Sequence, residues 1–190
     1  NERMASIDAQ IAYAPTAMEL LKNQTRTVDA PLNGTYPRTG KAITILKTSA
    51  GDIRINLIHR HAACNDAAFE KLIEAKYFNN TSCHRMFNSE QGSVLQCGDP
   101  TGTGMGDPGF YTPDELPEYL INAAGAEYGM QAQQITYPKG TVAVANSGPN
   151  TGSGQFFIAL TDTQLAPSYT VIGVVDPADF SILDKVKGYG

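Results

Sequence analysis

The sequence predicts a mainly β fold, a closed or nearly closed antiparallel barrel. Three observations predict it: short apolar segments recur between turn-forming residues, few segments have helical periodicity, and no internal repeat is visible. The composition agrees, because 18 Gly, 11 Pro, 9 Tyr and 7 Phe suit short strands joined by tight turns. With 190 residues, the chain can form one domain with a sizeable core and an extension.

The strands are assigned from the alternation of apolar and polar residues. Residues 42–48 and 53–58 both alternate around a turn at residues 49–52, which predicts a hairpin. Further short strands are predicted around residues 83–85, 94–97, 141–146, 155–160 and 170–175.

Two helices are predicted in the same part of the chain. Asn65 can cap the first helix, which ends near residues 79–80 and buries Phe69, Leu72 and Ile73. The second helix covers residues 177–187 and places Phe180, Leu183 and Val186 on one face.

Residues 1–40 are predicted to form an N-terminal extension, and residues 41–190 the folded domain. Thr16 and Glu19 form a candidate capping box, which indicates a short helix that could instead pack as part of the core. Residues 29–40 are turn-rich and are predicted to be a linker on the surface. Because the chain begins with Asn1 rather than Met, we expect a processed or trimmed product.

The composition argues against several classes of function. Apolar residues make up 42% of the chain and charged residues 17%, which is typical of a globular protein rather than a disordered one. The net charge is -5 and there is no basic run, so we expect no nucleic-acid partner. No apolar run approaches the roughly 20 residues that a membrane-spanning helix needs.

The three cysteines, Cys64, Cys83 and Cys97, allow at most one internal disulfide, and the sequence leaves the pairing open. Their spacing fits no zinc pattern, so no metal site is predicted. Cys83 and His84 are neighbours on a predicted strand, so their side chains point to opposite faces and cannot form a nucleophile–base dyad.

Two further motifs are interpreted as loops. Residues 104–109 match G-x-G-x-x-G, but no helix opens on the glycines and no phosphate-binding lysine follows, so tight turns rather than a dinucleotide site are predicted. The acidic segment 112–118 is predicted to be a solvated loop.

The remaining polar residues lie on predicted strands around two loops, residues 98–109, which we call the glycine-rich loop, and residues 147–154. If the strands that carry Arg85 and Gln96 pair antiparallel, both side chains can lie close together on one sheet face. Taken alone, Arg85 could belong to a structural ion pair, and Gln96 could be a satisfied core amide. A cation beside an amide on an apolar sheet, together with Asn146, Gln155 and Phe157, instead indicates a site for a neutral, polar substrate.

These residues resemble the motifs of the cyclophilin family of peptidyl-prolyl cis–trans isomerases. The matching segments are residues 83–85, 94–100, 101–104, 145–157 and 169–173, in family order, and residues 1–40 lie outside the resemblance. Residues 95–99 and 162–169 are most similar to bacterial, actinobacterial-type members. The resemblance implies an eight-stranded antiparallel barrel capped by two helices.

The resemblance also implies roles for individual residues. Arg85 stands at the position of the catalytic arginine. The groove that holds the substrate backbone is implied to contain His84, Gln96, Ala145, Asn146 and Gln155. The proline pocket corresponds to Val94, Phe157 and Leu165, and Tyr169 occupies the position of the usual groove histidine.

The sequence departs from the family pattern in places that matter for function. Ser93 stands where the pocket usually has Phe, after a longer loop at residues 86–92, and Phe87 is a candidate to replace it. Loss of a buried Phe weakens proline binding by up to roughly 1.5–3 kcal/mol. The tryptophan associated with strong cyclosporin binding corresponds to Gln164 or is deleted, so only weak cyclosporin binding is expected. Family members add a strand after the second helix, so either the chain is truncated or another segment fills that edge.

We therefore expect a peptidyl-prolyl cis–trans isomerase that helps proteins fold, with no cofactor and no metal. Its expected partners are proline-containing peptides and unfolded or folding proteins. The alternative is a non-catalytic proline-peptide binding module or scaffold on the same fold, which the departures at Ser93, Gln164 and Tyr169 favour. The expected location is extracytoplasmic, either secreted or membrane-tethered in a bacterium, and the alternative is the cytoplasm.

Overall fold

The computed structural model describes residues 26–31, 42–123 and 133–189. The described residues form nine strands, three α-helices and one short 3₁₀ helix. The strands are β1 (Ile43–Thr48), β2 (Gly51–Leu57), β3 (Arg85–Ser89), β4 (Gly92–Cys97), β5 (Ile135–Tyr137), β6 (Thr141–Val144), β7 (Phe156–Ala159), β8 (Thr163–Leu165) and β9 (Val171–Val175). The helices are α1 (Ala63–Glu74), α2 (Glu118–Ala123) and α3 (Phe180–Lys187), with the 3₁₀ helix Pro177–Asp179 directly before α3.

Seven strands form one antiparallel sheet in the order β1-β2-β9-β6-β7-β4-β3, and β5 pairs with β8 separately. The large sheet curls into a partly closed barrel, so the predicted mainly β, antiparallel barrel fold is confirmed. Strands β5 and β8 are absent from the predicted set because three residues are too few to show an alternating pattern. Within the described ranges, no helix combines the length and the apolar character that crossing a bilayer requires.

The two faces of the sheet bury different side chains, because consecutive residues of a strand point to opposite faces. On β7, Phe156 and Ile158 belong to the main core, whereas Phe157 belongs to a second apolar cluster on the other face. The helices supply part of the main core through Phe69 of α1 and Leu183 and Val186 of α3. The predicted second helix and its apolar face are therefore confirmed, with Phe180 partly buried against the same core.

The barrel is open between its two edge strands, β1 and β3. A cleft of about 810 Å³ lies between them, lined by Leu46 on one side and by Met86 and Leu95 on the other. Among the described residues, no strand pairs with the outer edge of β1 or of β3. The expected final strand, or another segment in its place, is therefore not found within the described ranges.

Helix α1 starts earlier than predicted and is capped by a different residue. The position before the helix is Ala62, which makes no side-chain cap, and Asn65 lies inside the first turn. The backbone N–H groups of Cys64 and Asn65 donate to the carboxylate of Glu115, at 3.2 and 2.9 Å. A helix N-terminus needs such acceptors, and here a distant loop supplies them. The predicted Asn65 cap is wrong, and so is the purely solvated role predicted for residues 112–118.

Two other boundaries differ from their predictions. Helix α1 ends at Glu74 rather than near residues 79–80, because Lys76 takes a left-handed conformation with φ of 57°. The loop expected over residues 86–92 is a regular continuation of β3 and β4, joined by a two-residue turn. Gly92 has φ of 138°, and a Cβ atom there would lie 2.6 Å from the backbone of Thr163. Only glycine fits this position, which directly follows the turn.

The described part of the N-terminal extension, residues 26–31, lies against the folded domain. The Arg26 guanidinium donates to the carbonyl groups of Lys76, Tyr77 and Asn79, at 3.2, 2.6 and 2.8 Å. The backbone N–H of Val28 donates to Pro108 at 2.9 Å. The candidate helix at residues 16–19 lies outside the described residues, and the division of the chain at residue 40 stays a prediction.

An ion pair ties strand β2 to the 3₁₀ helix and gives a testable pH dependence. Asp179 accepts hydrogen bonds from the backbone and the guanidinium of Arg54, and these contacts lower the Asp179 pKa to about 2. A depressed carboxyl pKa stabilises the fold above the unfolded value near 3.9, and the contribution is lost as the pH falls toward 2. We expect the urea midpoint of unfolding to fall between about pH 4 and pH 2.

The Asp179→Asn variant is the matched control for this effect. It removes the titrating group, so its urea midpoint should be lower than that of the unaltered protein at pH 7, and the two midpoints should converge at pH 2. A difference between the two proteins that stays constant from pH 7 to pH 2 would contradict the assignment.

Candidate active site

The antiparallel register aligns five residues in one line across the sheet, which we call the site row. Arg85 pairs with Gln96, Gln96 with Phe157, Phe157 with Ala143, and Ala143 with Val171. Directly opposed residues in antiparallel strands point to the same face. The predicted proximity of Arg85 and Gln96 is therefore confirmed. Neighbouring strands lie about 4.8 Å apart, so the backbone positions of Arg85 and Phe157 are about 10 Å from one another.

The site row continues into the second apolar cluster. Its buried members are Ile135, Tyr137, Ala143, Phe157 and Val171, and Val94, Leu165, Tyr169, Leu120 and Ile121 pack around them. Tyr169 meets Phe157 edge to face, with ring centroids 5.2 Å apart and planes at 89°. Tyr137 packs against Phe157 in a similar way at 6.2 Å. Edge-to-face contacts between aromatic rings are favourable, so these neighbours hold the Phe157 ring in one orientation.

Arg85 lies at the polar end of the site row and is exposed. Its guanidinium carbon sits 5.8 Å from the centre of the Phe87 ring, which is within the range of a cation–π contact. In the part of the chain that the structure describes, no carboxylate is within ion-pair distance of Arg85. The structural ion pair that the sequence left open is thus not present among these residues.

Gln96 and Gln155 form one hydrogen-bonded network with the glycine-rich loop. Gln96 Nε2 donates to Gln155 Oε1 at 2.9 Å. Gln155 Nε2 in turn donates to the carbonyl groups of Gly104 and Gly106, both at 3.0 Å. These bonds fix which end of each amide carries the donors. One N–H of Gln96 has no partner among the described residues and can donate to a ligand.

The glycine-rich loop is held in shape by the buried carboxylate of Asp99. This carboxylate accepts hydrogen bonds from Thr101 and from the backbone N–H groups of Gly104 and Gly106. Burial alone would raise the Asp99 pKa, but the hydrogen bonds outweigh it and keep the pKa below its ordinary value. The loop makes tight turns, as predicted, and it presents the carbonyl groups that orient Gln155.

His84 lies beside this loop, with both ring nitrogens buried and no hydrogen-bond partner among the described residues. Its ring approaches the backbone of Gly104, where a Cβ atom would lie 3.6 Å from the imidazole. Burial lowers the His84 pKa, although the charge of Asp99 opposes the shift. The shift favours the neutral imidazole, which adds no second cation beside Arg85.

Asn146 follows strand β6 and offers its main chain to the groove. Its side chain is already engaged, since Nδ2 donates to the Ser168 carbonyl at 2.8 Å and Oδ1 accepts from Gly148 at 3.3 Å. The preceding N–H, on Ala145, donates to the carbonyl of Gln155 at 2.9 Å. Within the described ranges no hydrogen bond engages the N–H or the carbonyl of Asn146, so this peptide group is available to a bound chain.

The three positions that depart from the family pattern have structural explanations. Ser93 is 3% exposed and donates to the Asn88 side chain, on the face opposite to Val94 and Gln96. Gln164 is exposed on β8, where its side chain donates across the β5–β8 pair to Thr136 at 2.6 Å. Tyr169, which the resemblance aligns with a groove histidine, packs its ring against Phe157.

Phe87, which the sequence offered as a replacement for the pocket Phe, lies on the same strand face as Arg85 and is 40% exposed at the rim. Its ring lies beside the Arg85 guanidinium, and it is not among the residues of the second apolar cluster. The structure adds three residues that the sequence did not indicate for the site. Tyr137, Leu120 and Ile121 carry no signal in the sequence, because they reach the cluster from elements outside the large sheet.

A comparison with family models identifies the chain. The model described as "Cyclophilin type peptidyl-prolyl cis-trans isomerase/CLD" matches residues 43–189. Among curated relatives, a "Probable peptidyl-prolyl cis-trans isomerase B" of Mycobacterium tuberculosis is 34% identical over 187 residues, which is 98% of this chain and 58% of the relative. The protein of the same name from Mycobacterium leprae is 37% identical over 181 residues, or 94% of this chain and 58% of the relative.

The solved structures lead to the same family. A cyclophilin-type peptidyl-prolyl cis-trans isomerase from Cryptosporidium parvum has a TM-score of 0.61 and 26% identity, covering 78% of this chain and 85% of that one. A second structure of that protein, obtained in the presence of the dipeptide Ala-Pro, has a TM-score of 0.60. The chain spans 58% of the length of the mycobacterial relatives, whose similarity reaches beyond the family domain into the N-terminal extension. The fold, the site row and these matches together show that the chain belongs to the cyclophilin-type peptidyl-prolyl cis-trans isomerase family.

Proposed function

We propose that this chain catalyses the cis–trans isomerisation of X-Pro peptide bonds. The observation that carries the proposal is the site row, which puts the cation of Arg85, the oriented amide of Gln96 and the apolar ring of Phe157 on one sheet face. Among the described residues, Arg85 has no ion-pair partner. A proline residue in a peptide matches this set, because it combines an apolar ring with a neutral, polar amide.

The reaction makes and breaks no covalent bond. Rotation about a peptide bond is opposed by a barrier of about 18–20 kcal/mol, which comes from the partial double bond between carbon and nitrogen. In the twisted state this conjugation is lost, and the prolyl nitrogen regains a lone pair that can accept a hydrogen bond. A donor aimed at that lone pair binds the twisted state more tightly than either planar state, and such differential binding accelerates the rotation.

Arg85 is the residue we assign to this donor role. A guanidinium stays charged in proteins and presents rigidly oriented N–H groups, so it can donate without giving up a proton. Arg85 is exposed and without an ion pair among the described residues, which leaves its donors available to a substrate.

The other residues of the site hold the substrate in place while the bond turns. The free N–H of Gln96 can donate to a substrate carbonyl, and the main chain of Asn146 can pair with the residue before proline. The pyrrolidine ring would rest against Phe157, with Val94 and Leu165 at its sides and Tyr169 behind it. His84, Ala145 and Gln155 complete the groove, the last of them through its bonds to Gln96 and the glycine-rich loop.

Proline-containing peptides are the partners that this site supports. The Cryptosporidium parvum neighbour was crystallised in the presence of Ala-Pro, which supports the same ligand class here. We extend the proposal to unfolded and folding proteins, whose exposed X-Pro bonds isomerise in tens to hundreds of seconds. Weak rather than strong cyclosporin binding belongs to the same proposal, because the family tryptophan either corresponds to Gln164, whose amide is used within the β5–β8 pair, or is deleted.

One observation favours the alternative of a proline-peptide binding module without catalysis. Phe157 is only 4% exposed, because Tyr169 and Tyr137 cover its ring, and a shallow floor would hold proline less firmly. Exchange NMR on an Ala-Pro peptide separates the two functions, because a binding module would shift the peptide signals without increasing the exchange rate between cis and trans.

The location that we propose is extracytoplasmic. The support is the disulfide between Cys83 and Cys97, since disulfides persist in oxidising compartments and are rare in the cytoplasm. Blocking thiols with a membrane-impermeant reagent before lysis of the source cells, followed by mass spectrometry, tests the proposal. A fully reduced pair that escapes the reagent in intact cells would contradict it.

Replacement of Arg85 tests the proposed chemistry. We expect kcat/KM for an Ala-Pro peptide to fall by about 100-fold in Arg85→Ala, the loss typical of removing one transition-state donor. Arg85→Lys should lose most of this activity as well, because an ammonium cannot reproduce the planar fork. Arg60→Ala, at another exposed arginine, is the control and should be unaffected. Near-normal turnover by either Arg85 variant would refute the mechanism.

Replacement of Phe87 tests the cation–π contact. Such contacts at exposed positions are worth about 0.5–1 kcal/mol, so Phe87→Ala should lower kcat/KM about two- to fivefold. Phe87→Tyr keeps an aromatic face over the guanidinium and should retain activity. Equal activity of the Ala and Tyr variants would show that the ring does not position Arg85.

The charge of the site predicts how turnover depends on pH. An arginine side chain stays protonated, and burial keeps the pKa of His84 below its usual value near 6.5. Arg85 and His84 are therefore expected to keep their charge states between about pH 7.5 and pH 9. We expect kcat/KM to be constant over this interval in an exchange NMR assay, which needs no pH-sensitive coupling enzyme. A sigmoidal change of several-fold within the interval would indicate a titrating catalytic group.

A further inference from the structure

The Cys83–Cys97 disulfide joins the two strands that carry the polar end of the site row. Cys83 lies two residues before Arg85, and Cys97 directly follows Gln96. The Cα atoms of the two cysteines are 4.0 Å apart, and the two strands pair directly from Arg85–Gln96 onward. The disulfide therefore joins β3 and β4 covalently at the end of their pairing where Arg85 lies.

Few other contacts hold the end of strand β3 at which Arg85 lies. It is an edge strand, and Arg85 is its first residue, preceded by residues 81–84 without regular structure. Among the described residues no strand pairs with its outer side, which faces the open cleft. The ends of edge strands fray most easily, because each backbone group has a partner on one side at most.

Strand β4 is held much more firmly. It lies between β3 and β7, and Cys97 is 4% exposed and paired with Phe156 in the main core. The disulfide thus ties a weakly held end to a firmly held one. Because the Arg85 side chain has no ion pair within the described ranges, its position depends on the backbone to which it is attached and on the Phe87 ring.

We propose that the Cys83–Cys97 disulfide positions Arg85, so that isomerase activity depends on the oxidation state of this pair. The inference rests on the proposed function and adds its regulation. The cysteines are positioning residues, because their sulfur atoms link the strands and do not reach the turning bond. Misplacement of a catalytic group by about 1 Å can reduce a rate up to about 100-fold, so a loosened Arg85 would be inactive or weakly active.

A dithiol supplies the reduction. A thiolate of the reductant attacks Sγ of Cys83, because Cys83 is the exposed cysteine of the pair. The bond between the sulfur atoms of Cys83 and Cys97 breaks. Cys97 leaves as a thiolate and takes up a proton. The second thiolate of the reductant then displaces Cys83, which also takes up a proton, and the reductant is oxidised to its own disulfide. Two electrons and two protons are transferred to the protein.

The test compares the oxidised and the reduced states of one chain. The Cys64→Ser variant is used throughout, because Cys64 is the free cysteine among the described residues and would otherwise be counted with the pair. Dithiothreitol is the probe, and alkylation with mass spectrometry counts no free thiol before reduction and two after it. We expect kcat/KM for an Ala-Pro peptide to fall at least about tenfold on reduction and to recover on reoxidation.

Two further measurements distinguish a disulfide that positions Arg85 from one that holds the whole fold together. The loss should appear in kcat with KM little changed, since Arg85 is proposed to contact the twisted state only. The near-UV circular dichroism of the reduced protein should match that of the oxidised protein. Equal activity of the two states would overturn the inference, and so would loss of the near-UV signal, because the bond would then hold the fold rather than Arg85.

A double variant and an NMR measurement complete the design. Cys83→Ala combined with Cys97→Val fills the buried side with an apolar group and should behave like the reduced protein, without responding to dithiothreitol. The ¹⁵Nε relaxation of Arg85, assigned by its absence in Arg85→Lys, should show greater mobility after reduction. Unchanged mobility would overturn the inference. An inactive oxidised protein whose Arg85 still gains mobility on reduction would instead contradict the proposed isomerase function and leave the positioning role supported.

Discussion

The structure depends on one constraint, the antiparallel register that carries a single line of residues across β3, β4, β7, β6 and β9. Because side chains alternate along each strand, this register decides at every strand which residue joins the main core and which joins the site. A slip of one residue in β4 would exchange Gln96 and Val94 for Leu95 and Cys97, and the site would lose both its amide and its pocket wall. The same register buries Phe156 and Ile158 and presents Phe157.

The parts of the site along this row differ in the contacts that hold them in place. The apolar end is packed by three aromatic rings that meet edge to face. The central amides are oriented by a glycine-rich loop, which is itself shaped by hydrogen bonds to the buried Asp99. The polar end, at Arg85, stands on an edge strand beside an open cleft and is secured by a disulfide and one aromatic contact. The cation is thus held by fewer contacts than the pocket is.

The neighbours of Ser93, Tyr169 and Gln164 explain how the chain can differ from the family pattern at these positions and still belong to the family. Ser93 would leave a polar group in an apolar pocket if it faced the site, but it points to the other face and is hydrogen-bonded within the β3–β4 hairpin. Tyr169 supplies an aromatic wall beside Phe157, and Gln164 is engaged by Thr136. Arg85, Gln96 and Gln155 are therefore grouped at one end of the site, while Tyr137 and Tyr169 pack around Phe157 at the other.

From the sequence alone, the alternation of apolar residues and the turn-forming residues predict the fold class, because both are local signals. Alternation on two strands also allows Arg85 and Gln96 to lie on one face, whereas the family and the roles of the site residues follow from the resemblance of several motifs to the cyclophilin family. The sequence does not show that Glu115 rather than Asn65 caps α1, that Cys83 pairs with Cys97 rather than Cys64, or that Tyr137 supports Phe157 from a separate small sheet. These contacts join different parts of the fold, so they depend on how the sheet curls and on which edge it leaves open rather than on any local pattern.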